Sequence, residues 1–123
     1  MTVEVKQLGD EPIVIATIYD PVNMETDPVE NREKSNAVAR KFDGPVYRIT
    51  DFSNFELTFS QLVGGLAEDI KNSEDNIRHL FVGSGDLVAM QVEAAKQDQY
   101  GGQDVKLFTS VNAAIAYARD HLG

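Results

Sequence analysis

The sequence predicts an α/β domain with a single mixed five-stranded sheet and four helices, in the order ββαβαβαβα. Three observations carry this reading. Two β-branched segments open the chain with turn residues between them. Strand-like and helix-like patterns then alternate to the end. The length of 123 residues, with 42% hydrophobic and 25% charged side chains, suits one core. Residues 1–123 therefore read as one domain, without internal repeat, linker or low-complexity tract.

Thr2 to Lys6 alternates polar and apolar residues with period two, as a half-exposed strand does. Gly9-Asp10-Glu11-Pro12 supplies a turn, and Ile13 to Tyr19 is β-branched and almost continuously apolar. The second segment is thus expected as a deeper strand, antiparallel to the first. Pro21 to Thr26 reads as a loop. Asp27-Pro28-Val29-Glu30 then combines an N-cap acid, proline at the first helical position and glutamate three residues after the cap. A helix is expected from there to the stop at Asp43-Gly44-Pro45. Its first half is polar, and only Ala37, Val38 and Phe42 offer it core contact, which predicts loosely held early turns.

Val46 to Phe52, Ile77 to Val82 and Val105 to Phe108 read as the third, fourth and fifth strands. Phe59, Leu62, Val63, Leu66 and Ile70 recur at helical steps behind a capping box of Thr58 and Gln61. Val88, Val92 and Ala95 mark the next helix. Val111, Ala114, Ile115, Ala118 and Leu122 mark the last, after a Ser110 cap. Strands joined through helices need right-handed crossovers, so the sheet is expected to be parallel apart from its opening hairpin.

With 11 Lys+Arg against 20 Asp+Glu the formal net charge is -9, which repels phosphate backbones and anionic lipid surfaces. Nucleic acid is not an expected partner. No apolar run approaches the roughly 18 to 20 residues needed to cross a bilayer, so no membrane insertion is expected. Met1-Thr2-Val3-Glu4-Val5 lacks the basic and apolar regions of a signal peptide, and a cytoplasmic location is expected. Without cysteine there is no disulfide framework, thiolate nucleophile or thiolate metal site.

The order ββαβαβαβα, the segment Val46-Tyr47-Arg48-Ile49-Thr50-Asp51-Phe52-Ser53-Asn54-Phe55 leading to the helix at Thr58, and the closing Leu107-Phe108-Thr109-Ser110-Val111-Asn112-Ala113-Ala114 together resemble STAS domains. These comprise the anti-sigma-factor antagonists and the looser SpoIIAA-like group, and the resemblance covers nearly the whole chain. It implies a STAS-like fold and a non-catalytic regulatory module that binds a protein partner, in the antagonists a kinase of the ATPase fold. In those proteins an aspartate ends the strand and an Asp-Ser-x-Gly turn carries the phosphorylated serine. Asp51 matches the first aspartate, and Ser60 falls at the serine. Phe59 stands in place of the acid before it and Leu62 in place of the glycine, so constitutive binding is expected instead of a phosphoswitch.

The expected partner surface is Phe52, Asn54, Phe55 and Glu56 with Ser60 and Gly64 at the start of the next helix. Ser60 otherwise reads as a solvated helix-start serine, and the phenylalanines as the closed end of the core. Gly83-Ser84-Gly85-Asp86 joins the fourth strand to a helix, where backbone amides can cradle an anion. It lacks the third glycine and the lysine of phosphate-binding fingerprints, and also reads as a tight turn capped by Asp86. A small apolar-ligand carrier is the rival reading, with the Phe-rich end and Met90 lining a pocket. A receiver-like or hydrolytic enzyme is the third: Asp51 would need Asp20, Ser84 and Lys106 around it, and only fragments of that set are present. His79 falls within a strand and His121 within the last helix, neither at metal-ligand spacing. No catalytic residue, metal site or cofactor is thus expected. The helix of Leu87, Val88, Met90, Val92, Ala94 and Ala95 is apolar over more than half its circumference, so it is either sunk between neighbours or used for a homodimer.

Overall fold

The computed structural model describes residues 3–18, 27–51, 74–83 and 106–122. Strands β1 (Val3–Gln7) and β2 (Ile13–Ile18) form an antiparallel hairpin that pairs Val5 with Ala16 and Gln7 with Val14. Between them Glu11 N–H donates to the Leu8 carbonyl at 3.0 Å, and Gly9 takes φ +57°, a region open to glycine at little cost. Pro12 has no N–H for a ladder, but its carbonyl accepts from Tyr47 N–H at 2.9 Å and so extends the contact of β2 with β3.

Strands β3 (Val46–Asp51), β4 (Ile77–Val82) and β5 (Lys106–Phe108) follow β2 in parallel, giving the spatial order β1-β2-β3-β4-β5. The expected mixed five-stranded sheet is present, and each strand lies beside its neighbour in sequence. Both faces of β3 and β4 are covered, and burial runs along both strands almost without alternation. The half-exposed edge strand β1 keeps the alternation: Glu4 and Lys6 are exposed and Val5 is partly buried.

Among the described residues two helices lie on opposite faces of the sheet. Helix α1 (Asp27–Ala39) lies over β1, β2 and β3, where Ala39 packs with Val14, Val46 and Ile77. Helix α2 (Val111–Leu122) lies over β3, β4 and β5, where Ala114 and Ala118 pack with Ile13, Ile49, Leu80 and Val82. The Ser110 cap forms as its sequence predicts, with Ala113 N–H donating to Ser110 Oγ at 3.1 Å. Small alanines on the inner stripe of α2 let it lie close to the sheet.

Helix α1 departs from expectation in two ways. It ends at Ala39, ahead of Asp43-Gly44-Pro45, because a tertiary contact closes it: Asn76 Nδ2 donates to the carbonyls of Ala39 (3.0 Å), Phe42 (3.3 Å) and Gly44 (3.0 Å). Its polar turns are also not loosely held. Asn31, Ser35 and Asn36 are buried while Ala37 is exposed, so the inner face is largely hydrogen-bonding rather than apolar. Ser35 Oγ donates to Asn31 Oδ1 at 3.3 Å, and Asn36 Oδ1 accepts from Glu74 N–H at 2.9 Å. The helices expected around Phe59–Ile70 and Leu87–Ala95 lie outside the described residues, as do Tyr19, Phe52 and Val105 at the expected strand ends.

Candidate functional site

The carboxyl ends of β3, β4 and β5 form one rim of the sheet. Asp51 ends the central strand, in register between Thr17 of β2 and Val82 of β4, on the face covered by α2. Only 6% of it is exposed, and a neighbour engages it. One strand over, Gly83 is buried and its N–H donates to the Phe108 carbonyl at 3.1 Å, which ties the end of β4 to β5. That donor is engaged within the sheet, so an anion there would depend on the residues that follow. Phe52, Asn54, Phe55, Glu56, Ser60, Gly64, Ser84, Gly85, Met90 and Asp20 lie outside the described residues.

Lys106 opens β5, level with Leu80 and two pairs back from the rim. Its Nζ lies 5.8 Å from the centroid of the Tyr117 ring, a cation–π contact directed at α2. The lysine that a receiver-like arrangement would require at Asp51 is therefore engaged elsewhere in this structure.

A second set of polar residues lies on the α1 face, and sequence patterning did not single it out. Arg48 and His79 are register partners on neighbouring central strands, and Thr50 follows two residues along on the same face. Arg48 and His79 are each 2% exposed and Thr50 4%. Asn31 and Ser35 of α1 are buried too, so the α1 side of the sheet carries polar residues where periodicity alone predicts aliphatic packing. Both Arg48 and His79 are engaged by neighbours. The only sequence signal was a basic residue at an inward position of each central strand. Their burial makes them anchors of the fold and keeps them from a solvent-borne substrate.

Aromatic rings gather on the sheet face under α2. Tyr117 stacks on His121 at 3.9 Å, meets Tyr47 edge-on at 6.2 Å and lies 5.4 Å from Phe108. Tyr117, which is not among the stripe residues that mark this helix in the sequence, packs at the margin of the core. Burial, then the neighbouring Tyr117, raises the Tyr47 hydroxyl above its ordinary value. His121 Nδ1 lies 2.9 Å from the Tyr117 carbonyl, an acceptor only, so that nitrogen carries the proton of this bond. Nearby, Arg119 grips Glu11 through two hydrogen bonds, Nε to Oε1 at 3.0 Å and a terminal nitrogen to Oε2 at 2.9 Å. That bond holds the Glu11 carboxyl below the usual carboxylate range and raises the Arg119 guanidinium.

No family model matches the chain, and neither does any curated protein or solved structure. Among the described residues no three His, Asp or Glu side chains are grouped to hold a metal ion. No helix among them is long and apolar enough to cross a membrane. The carboxyl rim at Asp51 and Gly83 is where the sequence-expected surfaces leave the sheet, and it is the candidate site.

Proposed function

We propose that this chain is a non-catalytic regulatory module of the cytoplasm that binds a protein partner through Phe52, Asn54, Phe55, Glu56, Ser60 and Gly64, as its resemblance to STAS domains implies. The observation that carries the reading is the burial of Asp51 at the carboxyl end of the central strand. A surface segment that starts from a fixed, packed residue loses less freedom on binding than one on a free loop. The net charge of -9 favours a protein partner over nucleic acid. The phosphoswitch of the antagonists is not part of the proposal, because Phe59 and Leu62 replace two residues of its turn.

The test is affinity capture from the native cytoplasm with wild type, Phe55→Ala and Ser60→Asp, together with intact-mass analysis of the native protein. A kinase of the ATPase fold retained by wild type and lost with Phe55→Ala is the expected result. Equal recovery with all three proteins removes the proposed surface. A phosphate mapped to Ser60 removes constitutive binding and restores the switch.

A further inference from the structure

We infer that β1 is a self-complementary edge through which two copies of this chain join their sheets antiparallel, about a twofold axis at Val5. Among the described residues β1 has β2 on one side and no strand on the other. The ladder fixes which backbone groups face outward. Leu8 N–H donates to the Ile13 carbonyl at 2.9 Å, which makes Leu8 and Ile13 a hydrogen-bonded pair. The register continues as Gln7 with Val14, Lys6 with Ile15, Val5 with Ala16, Glu4 with Thr17 and Val3 with Ile18. Hydrogen-bonded and non-hydrogen-bonded pairs alternate along an antiparallel ladder. Lys6 and Glu4 therefore bond to β2, and the N–H and C=O groups of Val3, Val5 and Gln7 point away from the sheet.

A second β1 pairing about Val5 uses those groups in phase. Val5 exchanges its two hydrogen bonds with Val5 of the second copy, and Val3 does so with Gln7. Glu4 then falls opposite Lys6 of the second copy at a non-hydrogen-bonded position, where cross-strand side chains come closest. Both side chains are exposed and on one face. The axis repeats the pair, so the seam carries Glu4 against Lys6 twice.

The charges also reject the neighbouring registers. A shift of two residues one way sets Glu4 against Glu4, and the other way sets Lys6 against Lys6, and like charges directly opposite are unfavourable. An edge protected only against aggregation needs charge of either sign, commonly lysine. Opposite charges spaced so that a twofold axis pairs them fit one particular occupant, another copy of this chain. Val5 packs on its inner side with the α1 cluster, which braces the strand from the opposite face. This inference stands apart from the partner surface proposed above, since it uses the opposite flank of β2 from the Asp51 strand.

The test is the solution mass of wild type, Glu4→Lys, Lys6→Glu and the double swap Glu4→Lys/Lys6→Glu, by light scattering with circular dichroism as the folding control. Wild type at micromolar to sub-millimolar concentration is expected at twice the chain mass of 13.6 kDa. Each single reversal should weaken the dimer about tenfold or more, because the axis repeats the like-charge pair. Mixing the two single variants should form a heterodimer, and the double swap should regain the wild-type dimer. A monomeric wild type overturns the inference. So do single reversals that dimerise as wild type does, or single variants that fail to associate when mixed.

Discussion

Asn76 shows how much one side chain can organise. Its amide reaches the last carbonyl of α1, a carbonyl of the following turn and one in the loop before β3, so it joins the start of β4 to the end of the crossover helix. Arg40 Nε adds a 2.7 Å bond to Glu74 nearby, but both partners are well exposed and this pair contributes little. The amide differs because it is partly buried and holds three carbonyls at once, of which only that of Ala39 is also shown with a backbone donor, Phe42 N–H at 3.2 Å. Asn76→Ala should therefore lower unfolding stability by about 1 to 3 kcal/mol, the cost of leaving carbonyls without donors. Asn76→Asp should be worse, since it sets an acceptor against three acceptors. Urea denaturation reads both. A loss for Asn76→Ala no larger than that for Arg40→Ala would mean that the amide does not close the helix.

Elements differed in how far their sequence disclosed them, and the contrast between α1 and α2 shows why. In α2 the apolar stripe, the Ser110 cap and the inward alanines agree, so propensity and packing point to one answer. In α1 the start signals at Asp27-Pro28 were legible, but the buried face was not. Periodicity finds greasy stripes, whereas the inner face here is Asn31, Ser35 and Ala39. Its end was hidden as well, because Asn76 is distant in sequence and no local pattern announces it. The same limit applies to the site: Asp51 could be read as the end of a strand, while the Arg48 and His79 pair needed the register of two strands. A pair of substitutions tests the observed face of α1. Ala39→Glu, at a position 1% exposed, should cost several kcal/mol, and Ala37→Glu on the outer face should stay within about 0.5 kcal/mol. Equal thermal shifts for the two would show that the face is wrongly oriented.

At the scale of the whole molecule, the hairpin turn and the end of α2 are far apart in sequence and are joined by Glu11 and Arg119 across the amino ends of the strands. The ring cluster of Tyr47, Phe108, Tyr117 and His121 lies on the sheet face under α2, so the ion pair and the rings together couple the first and last elements of the described chain. The coupling should depend on pH in a direction that the Glu11 carboxyl fixes. Its hydrogen bond from Arg119 lowers its folded-state value, so the folded protein binds that proton less readily than the unfolded chain does. The pair's contribution is thus present above the ordinary carboxylate range and is lost as pH falls through the lowered value. Both side chains face water, which keeps the contribution small and sensitive to salt. Arg119→Ala should consequently be less stable than wild type at neutral pH and low ionic strength. The gap should narrow on acidification through the carboxylate range, and also on adding salt at neutral pH. Denaturation series for both proteins, run in parallel across that range, make the comparison. A gap that stays constant or widens in acid would mean that Arg119 supports the rim through its packing and not through Glu11.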